Sequence, residues 1–165
     1  MKIIKLTLTF LILITFHTTQ AQDGESLINL HAGIGGSIQA NDVKTPSFYG
    51  SYEYFVGDHL SVGAIVGYAP LSIDTQELVL GQGFLDTKEE NSNFVAGALV
   101  NYYLASGDTL DFYLGGSLGY SSGLTAGFLH EFHAGARYYL GDNFALSSEV
   151  GFGVSLLKVG ISFKL

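Results

Sequence analysis

One stretch of the sequence brings together residue types that are suited to hydrolysis. His130, Glu131 and His133 follow Ser121 and Ser122 in the chain, and a serine, a histidine and an acid are the parts of a nucleophilic hydrolase site. Such a site needs its groups within hydrogen-bond reach, whereas successive side chains of a strand point to opposite faces. His130 and His133 therefore cannot both serve one interior site, and we expect no catalytic residue here.

The histidines are also the candidates for metal chemistry. His31, His59, His130 and His133 show no spacing that is typical of a metal site. The chain has no cysteine, which excludes a thiolate zinc site, a disulfide and a thiol nucleophile. We accordingly expect no metal ion and no cofactor.

Charged residues at positions that alternate with apolar ones form a more suggestive set. Buried charges are costly unless they are paired, so we predict an interior ionic network. Arg137 and Glu149 flank the turn at 141–143 and are predicted to be opposite or diagonal partners. The inward charges are predicted to be Glu53, Asp111, Glu131, Arg137, Glu149, Lys158 and Lys164.

The element that must position these charges is the β-strand. From residue 28 onward, alternation with period two places successive side chains on opposite faces. In the last segment Val159, Ile161 and Phe163 oppose Gly160 and Ser162. Eight such segments predict an all-β fold, an eight-stranded antiparallel up-and-down barrel. The predicted strands are about 28–39, 47–56, 59–69, 93–104, 110–121, 131–140, 144–154 and 158–165.

Short and long connections alternate along the chain. Gly and Asp or Asn mark tight turns, whereas the other connections are longer and polar or rich in Ser and Gly. This alternation is typical of a membrane barrel with one short-turned rim and one long-looped rim. The predicted turns are 56–59, 105–109 and 140–143, and the predicted long links are 40–46, 70–92 and 121–127.

The character of the two faces separates a transmembrane barrel from a soluble one. One face carries large apolar residues, and the other carries mostly Gly, Ser, Asn and Ala with an occasional charge. Small groups suit the narrow interior of eight strands, which is filled by side chains and leaves no channel. We therefore predict that the large residues face lipid and that the interior charges form a structural plug rather than a proton or ion path.

Aromatic residues are predicted to form two girdles, where the strands meet the two membrane interfaces. Phe163 is counted with the girdle residues. Beside the short turns lie Tyr54, Phe55, Tyr102, Tyr103, Phe112, Tyr138, Tyr139 and Phe144, and beside the long links lie Phe48, Tyr68, Phe94, Tyr120, Phe128 and Phe152.

The N-terminal segment has a composition of its own. Lys2 and Lys5 precede an almost wholly apolar run from residue 6 to residue 16, and a small residue, Ala21, follows. This order is typical of a secretory signal peptide, so we predict cleavage after Ala21 and a mature barrel domain over 22–165. Cleavage removes two lysines and no acid, which changes the formal net charge from −8 to −10. Nucleic acid is a poor partner for such a chain.

The mature chain resembles the small outer-membrane β-barrel domain family that includes OmpA, OmpX and OmpW. The resemblance rests on Gly-Ala-Arg-Tyr-Tyr-Leu-Gly-Asp-Asn at 135–143, on the strand that follows at 144–153, and on the closing segment 159–165. Members of this family usually end on an aromatic residue that the barrel-assembly machinery reads. This chain ends on Leu165, and Phe163 lies two residues before it.

The resemblance implies a place in the outer membrane of a Gram-negative bacterium, with lipid, lipopolysaccharide and the barrel-assembly machinery as partners. We expect a structural or surface-interaction role and neither an open pore nor an enzyme. The loop predicted at 70–92 is expected to cap the barrel mouth, or to contact an extracellular partner or divalent cations that bridge lipopolysaccharide. Two alternatives stay open: an outer-membrane lipid-modifying enzyme and a soluble lipocalin-like barrel that binds an apolar ligand.

Overall fold

The computed structural model describes residues 24–34, 46–79, 83–123, 126–153 and 155–165. The predicted signal peptide at 1–21 and part of the first predicted strand, 35–39, lie outside the described residues. Among the residues described, no helix is long and apolar enough to cross a membrane.

Eight antiparallel strands pair in chain order and close into a barrel. The closure is the pairing of the first strand with the last, from Leu27 opposite Lys164 to Ile34 opposite Leu157. The predicted fold class is therefore confirmed. The strands are β1 Ser26–Ile34, β2 Ser47–Gly57, β3 Leu60–Val79, β4 Gly83–Ala105, β5 Leu110–Ser122, β6 Gly127–Tyr139, β7 Phe144–Phe152 and β8 Leu157–Lys164.

The connections place two different rims on the barrel. Residues 58–59, 106–109 and 140–143 join strands at one rim, which we call the turn end. The opposite rim is called the hairpin end, because β3 and β4 extend beyond it.

The prediction of a long loop over 70–92 is wrong. β3 and β4 continue through most of it, and their pairing runs on from Pro70 opposite Ser92 to Val79 opposite Gly83. The neighbouring strands end earlier: β2 pairs with β3 as far as Tyr68, and β5 pairs with β4 as far as Phe94. Acidic residues suggested a loop, but the alternation of Leu, Ile and Thr with polar residues at 71–76 continues the strand period.

Large apolar side chains cover the outside of the barrel, as the alternation predicted. Phe128, Phe132 and Val150 are each at least 61 % exposed in the isolated chain. The inward positions of the wall carry buried polar residues, such as Asn29 on β1 and Ser61 on β3, together with two clusters of buried apolar residues. A soluble barrel that binds an apolar ligand would have the opposite arrangement, so that alternative is excluded.

The predicted aromatic set divides between the two faces. Three of its members at the turn end, Phe55, Tyr103 and Tyr139, lie inside the barrel, so their assignment to a girdle was wrong. Each of the three directly follows an outward-facing tyrosine, and adjacent residues of a strand point to opposite faces. Phe144 is half-buried, with its ring 5.2 Å from that of Phe163. The outward turn-end aromatics are Tyr54, Tyr102, Phe112, Tyr138 and Phe163.

Candidate functional site in the barrel lumen

The charged residues of the lumen form two clusters around two cations. The arginine cluster lies in the half of the barrel next to the turn end, and the lysine cluster lies in the half next to the hairpin end. Each cluster has one basic and two acidic side chains, and all six are buried. The arginine cluster is Arg137, Glu53 and Asp111, and the lysine cluster is Lys158, Glu131 and Glu149.

Arg137 is the centre of the arginine cluster and is 0 % exposed. Its guanidinium lies 3.2 Å from a Glu53 oxygen and 3.7 Å from an Asp111 oxygen. It also donates to the hydroxyls of Tyr103, at 2.9 Å, and Ser162, at 3.1 Å. One arginine thus joins carboxylates and hydroxyls from β2, β4, β5 and β8 across the lumen.

The Glu53 carboxylate is saturated with hydrogen bonds as well as paired with a cation. One oxygen accepts from Asn29 Nδ2 at 2.7 Å. The other accepts from Ser61 Oγ at 2.7 Å, Asn101 Nδ2 at 2.8 Å and the Tyr103 hydroxyl at 2.9 Å. Charge-assisted bonds of this kind offset the desolvation of a buried carboxylate.

Asp111 anchors the arginine cluster to the turn between β4 and β5. One of its oxygens accepts from Ser106 Oγ at 2.8 Å and from the Gly107 backbone N–H at 3.2 Å. The other accepts from the Tyr139 hydroxyl at 2.9 Å. The position of this turn is therefore linked to the interior network.

Lys158 Nζ bridges the two acids of the lysine cluster. It contacts a Glu131 oxygen and lies 3.4 Å from Glu149 Oε2. Its ammonium also lies 5.0 Å from the centre of the Tyr49 ring, a cation–π distance. The pairing with Glu149 follows from the register, because Glu149 and Lys158 are direct cross-strand partners.

Arg137 and Glu149 are diagonal neighbours, as predicted, but each forms its described ion pairs with other residues and not with the other. Arg137 lies opposite Ser147, and Glu149 lies opposite Gly135. The ring of Tyr113 lies over Gly135, where an added Cβ would come within 2.2 Å of it. Tyr113 stacks against the guanidinium at 5.0 Å and donates its hydroxyl to Glu149 at 2.9 Å, so it separates the two charges.

Lys164 was predicted to face inward, and it shares the strand face of Lys158 and Ser162, with its ammonium 5.5 Å from the centre of the Tyr139 ring, but it belongs to neither cluster. It is partly exposed at the turn end, where Nζ lies 2.8 Å from a Glu25 oxygen. A rim position so close to the strand end explains the difference, because solvent reaches the ammonium.

The residues considered for hydrolysis do not form a site in the described part of the chain. His130 faces outward, with its ring 6.2 Å from that of Phe152. His133 is buried inside, and Ser121 and Ser122 make no hydrogen bond to it among the contacts of the described residues. His130 and His133 thus point to opposite faces, as the sequence predicted, and the inward-facing Ser121 lies opposite Gly127, whereas His133 lies opposite Gly115.

The histidines considered for metal binding are also apart. His31 Nε2 lies 2.8 Å from Ser147 Oγ inside the barrel. His59 Nδ1 lies 3.1 Å from the Tyr103 carbonyl at the turn end. With His130 outside the wall, these residues share no centre.

Sequence reasoning missed the uncharged residues that complete the network. Asn29 donates to Glu53 and accepts from the guanidinium. Asn101 donates to Glu53 and bonds to His133, which in turn lies 3.4 Å from Glu131 of the lysine cluster. Tyr103 and Tyr113 lie at inward positions beside the charges. The alternation could have identified them: Tyr103 is two residues from Asn101 on β4, so both side chains point to the same, inward face.

A closed eight-stranded wall, an apolar outer surface and an interior that holds buried charges, polar groups and two apolar clusters define a small transmembrane β-barrel. No protein-family model and no curated protein sequence matches the chain.

Solved structures share the fold. A designed transmembrane β-barrel is 19 % identical, with a TM-score of 0.56 over 90 % of this chain and 100 % of that one. The N-terminal β-barrel domain of Pseudomonas aeruginosa OprF is 15 % identical, with a TM-score of 0.56 over 88 % and 100 %. The outer membrane protein OprG of the same organism is 12 % identical, with a TM-score of 0.62 over 87 % and 96 %. At these identities the likeness concerns the fold.

Proposed function

We propose that this chain is a non-enzymatic integral protein of the Gram-negative outer membrane that acts at the cell surface through the extended β3–β4 hairpin. The barrel serves as its anchor and not as a pore. The single observation that carries the proposal is the continuation of β3 and β4 beyond every neighbouring strand.

Strand length supports a projection from the membrane. A tilted strand crosses the hydrocarbon layer in about ten residues, and Leu60–Ala69 is enough for that. The pairs from Ala69 opposite Asn93 to Val79 opposite Gly83 number eleven. At about 3.3 Å per residue, the extension reaches about 35 Å past the rim.

The direction of the projection follows from the way such barrels are inserted. Short turns face the periplasm and longer connections face outward, so the hairpin end is the extracellular end. The segment 70–92 contains five acidic residues and one lysine. This charge suits divalent cations that bridge it to lipopolysaccharide phosphates, or a basic extracellular partner.

The absence of cysteine from the sequence allows a test by unique labelling. Thr75→Cys places a thiol in the hairpin, and Asp142→Cys places one in a turn at the opposite rim. In intact cells a membrane-impermeant maleimide should label the first variant, and it should label the second only after permeabilisation. Labelling of Asp142→Cys alone in intact cells would reverse the orientation, and recovery of the chain in the soluble fraction would overturn the proposal.

A further inference from the structure

Three side chains with metal-ligating atoms converge in the half of the lumen next to the hairpin end. Glu131 and His133 lie two residues apart on the inner face of β6, and Glu149 lies on the neighbouring β7. Their ligand atoms all lie within 4.8 Å of one another. His133 is only 6 % exposed, and both glutamates are buried.

The hydrogen bonds around His133 determine where its ring proton lies. Asn101 Nδ2 donates to Glu53, because a carboxylate only accepts, so Asn101 Oδ1 is the atom that faces His133 Nε2 at 2.9 Å. Nε2 must then carry a proton. In the neutral ring, the lone pair of Nδ1 is left as a ligand atom.

His133 Nδ1 is buried and has no hydrogen-bond partner among the described residues. It points toward Glu131, with 3.4 Å between Nδ1 and Oε1. A neutral imidazole nitrogen and a carboxylate oxygen are both acceptors, so they repel each other at this distance unless a positive charge is shared between them. Lys158 Nζ contacts the same Glu131 oxygen and supplies part of that charge, whereas His133 Nδ1 itself is left without a partner that a metal ion could provide.

The buried acidic and basic side chains of the lumen indicate how much positive charge a bound ion would have to carry. Among the described residues, the buried acids Glu53, Asp111, Glu131 and Glu149 carry four negative charges and Arg137 and Lys158 carry two positive ones, which leaves −2 with neutral histidines. Uncompensated charge inside a membrane barrel is costly. A single divalent ion would balance the charge of these six described side chains.

We infer that Glu131, His133 and Glu149 form a binding site for one divalent transition-metal ion of the Zn²⁺ type. An imidazole nitrogen with two carboxylate oxygens suits such ions better than Mg²⁺ or Ca²⁺, which prefer oxygen ligands alone. Lys158 competes for the same two carboxylates, because its ammonium pairs with both of them. This inference does not depend on the proposed surface role of the hairpin.

The site lies near the hairpin end of the described β6–β7 pairing. Glu131 lies one residue beyond the last β6–β7 pair, Phe132 opposite Phe152. Gly153 lies directly against the Glu131 side chain, where an added Cβ would come within 2.5 Å of Glu131 Cγ. The absence of a side chain at Gly153 lets the carboxylate lie beneath the connection between β7 and β8, close to the hairpin end.

The test is a calorimetric titration with Zn²⁺ of the barrel purified in detergent and stripped with a chelator. We expect a single Zn²⁺ per chain and no comparable binding of Mg²⁺. His133→Gln should weaken Zn²⁺ affinity by about tenfold or more. His130→Gln, on the outer face of the same strand, is the matched control and should bind as the unmodified chain does.

A second variant separates loss of ligands from loss of folding. Lys158→Met keeps all three ligands and removes the competing ammonium, so it should bind Zn²⁺ more tightly, while heat modifiability on gels verifies that each variant is folded. The inference is overturned if the folded chain binds no Zn²⁺, if His130→Gln loses as much affinity as His133→Gln, or if Lys158→Met does not bind more tightly. It is also overturned if nitrogen NMR shows that the His133 ring stays doubly protonated at saturating Zn²⁺, because a proton then supplies the charge.

Discussion

Arg137 shows how a full positive charge is kept inside a narrow barrel. It has two carboxylates within 3.7 Å, two hydroxyl acceptors, and the faces of Tyr103 and Tyr113 at cation–π distances. Interactions of this type repay desolvation only when every partner is present. The arginine is therefore the residue whose loss should cost most.

We expect Arg137→Met to lower the free energy of unfolding by about 3–5 kcal/mol, because Glu53 and Asp111 would be left buried without a cation. Urea unfolding of the detergent-refolded barrel, followed by tyrosine fluorescence, would measure this loss. The additional change Glu53→Gln should recover part of it by removing one of the stranded charges.

Lys164→Met is the matched control for this prediction. The Lys164 ammonium pairs with Glu25 at the partly exposed turn end, where an ion pair contributes at most about 1 kcal/mol. A loss with Lys164→Met as large as that with Arg137→Met would contradict the central role of the arginine cluster.

At the scale of elements, the β3–β4 hairpin has two parts with different surroundings. Up to Tyr68 and Phe94 it is part of the wall and has neighbours on both sides, and beyond that point the two strands pair with each other. The extension therefore adds little to the cohesion of the barrel, which leaves its sequence free for interaction with a partner.

Replacement of 70–92 by an Asn-Gly turn is expected to leave the barrel folded, because this dipeptide favours a two-residue hairpin. The free energy of unfolding should change by less than about 1 kcal/mol, a change of the size usual for exposed substitutions. Urea unfolding and heat modifiability of the shortened chain are the measurements. Failure of the shortened chain to form a heat-modifiable barrel would mean that the extension is part of the fold.

At the scale of the whole molecule, closure of eight strands and filling of the lumen act together. Closure pairs the edges of β1 and β8, so the wall exposes no unpaired backbone there to lipid. Eight strands enclose just enough room for the interior side chains. The described interior is consequently occupied by buried ion pairs and hydrogen-bonded side chains.

Two measurements on the intact barrel follow from this architecture. The unboiled form should migrate faster than the boiled form on gel electrophoresis of the outer-membrane fraction, because the closed barrel resists detergent. In planar bilayers it should show no steady stepwise conductance, because the arginine and lysine clusters block the lumen. Stable unitary currents from the purified chain would overturn the interpretation of these clusters as a plug.

The sequence predicted the wall better than the interior. Alternation is a local property, so the outward course of Val159, Ile161 and Phe163 could be predicted from their spacing alone. An aromatic residue type near a turn did not by itself predict the girdle. Tyr102 and Tyr103 are both aromatic, but only Tyr102 faces outward. At 70–92 the acidic composition masked a strand period that continued.

The sequence by itself determined that there are eight strands, that the large residues of these strands face outward and that Glu53, Glu131 and Arg137 face inward, because side-chain direction in a strand depends only on position parity. Only the tertiary structure decided which charges meet. Arg137 reaches Glu53 on β2 because the sheet closes, and the Tyr113 ring over Gly135 keeps it from Glu149. Contacts across a lumen depend on closure, register and the volume of every intervening side chain, and none of these is a local property of the chain.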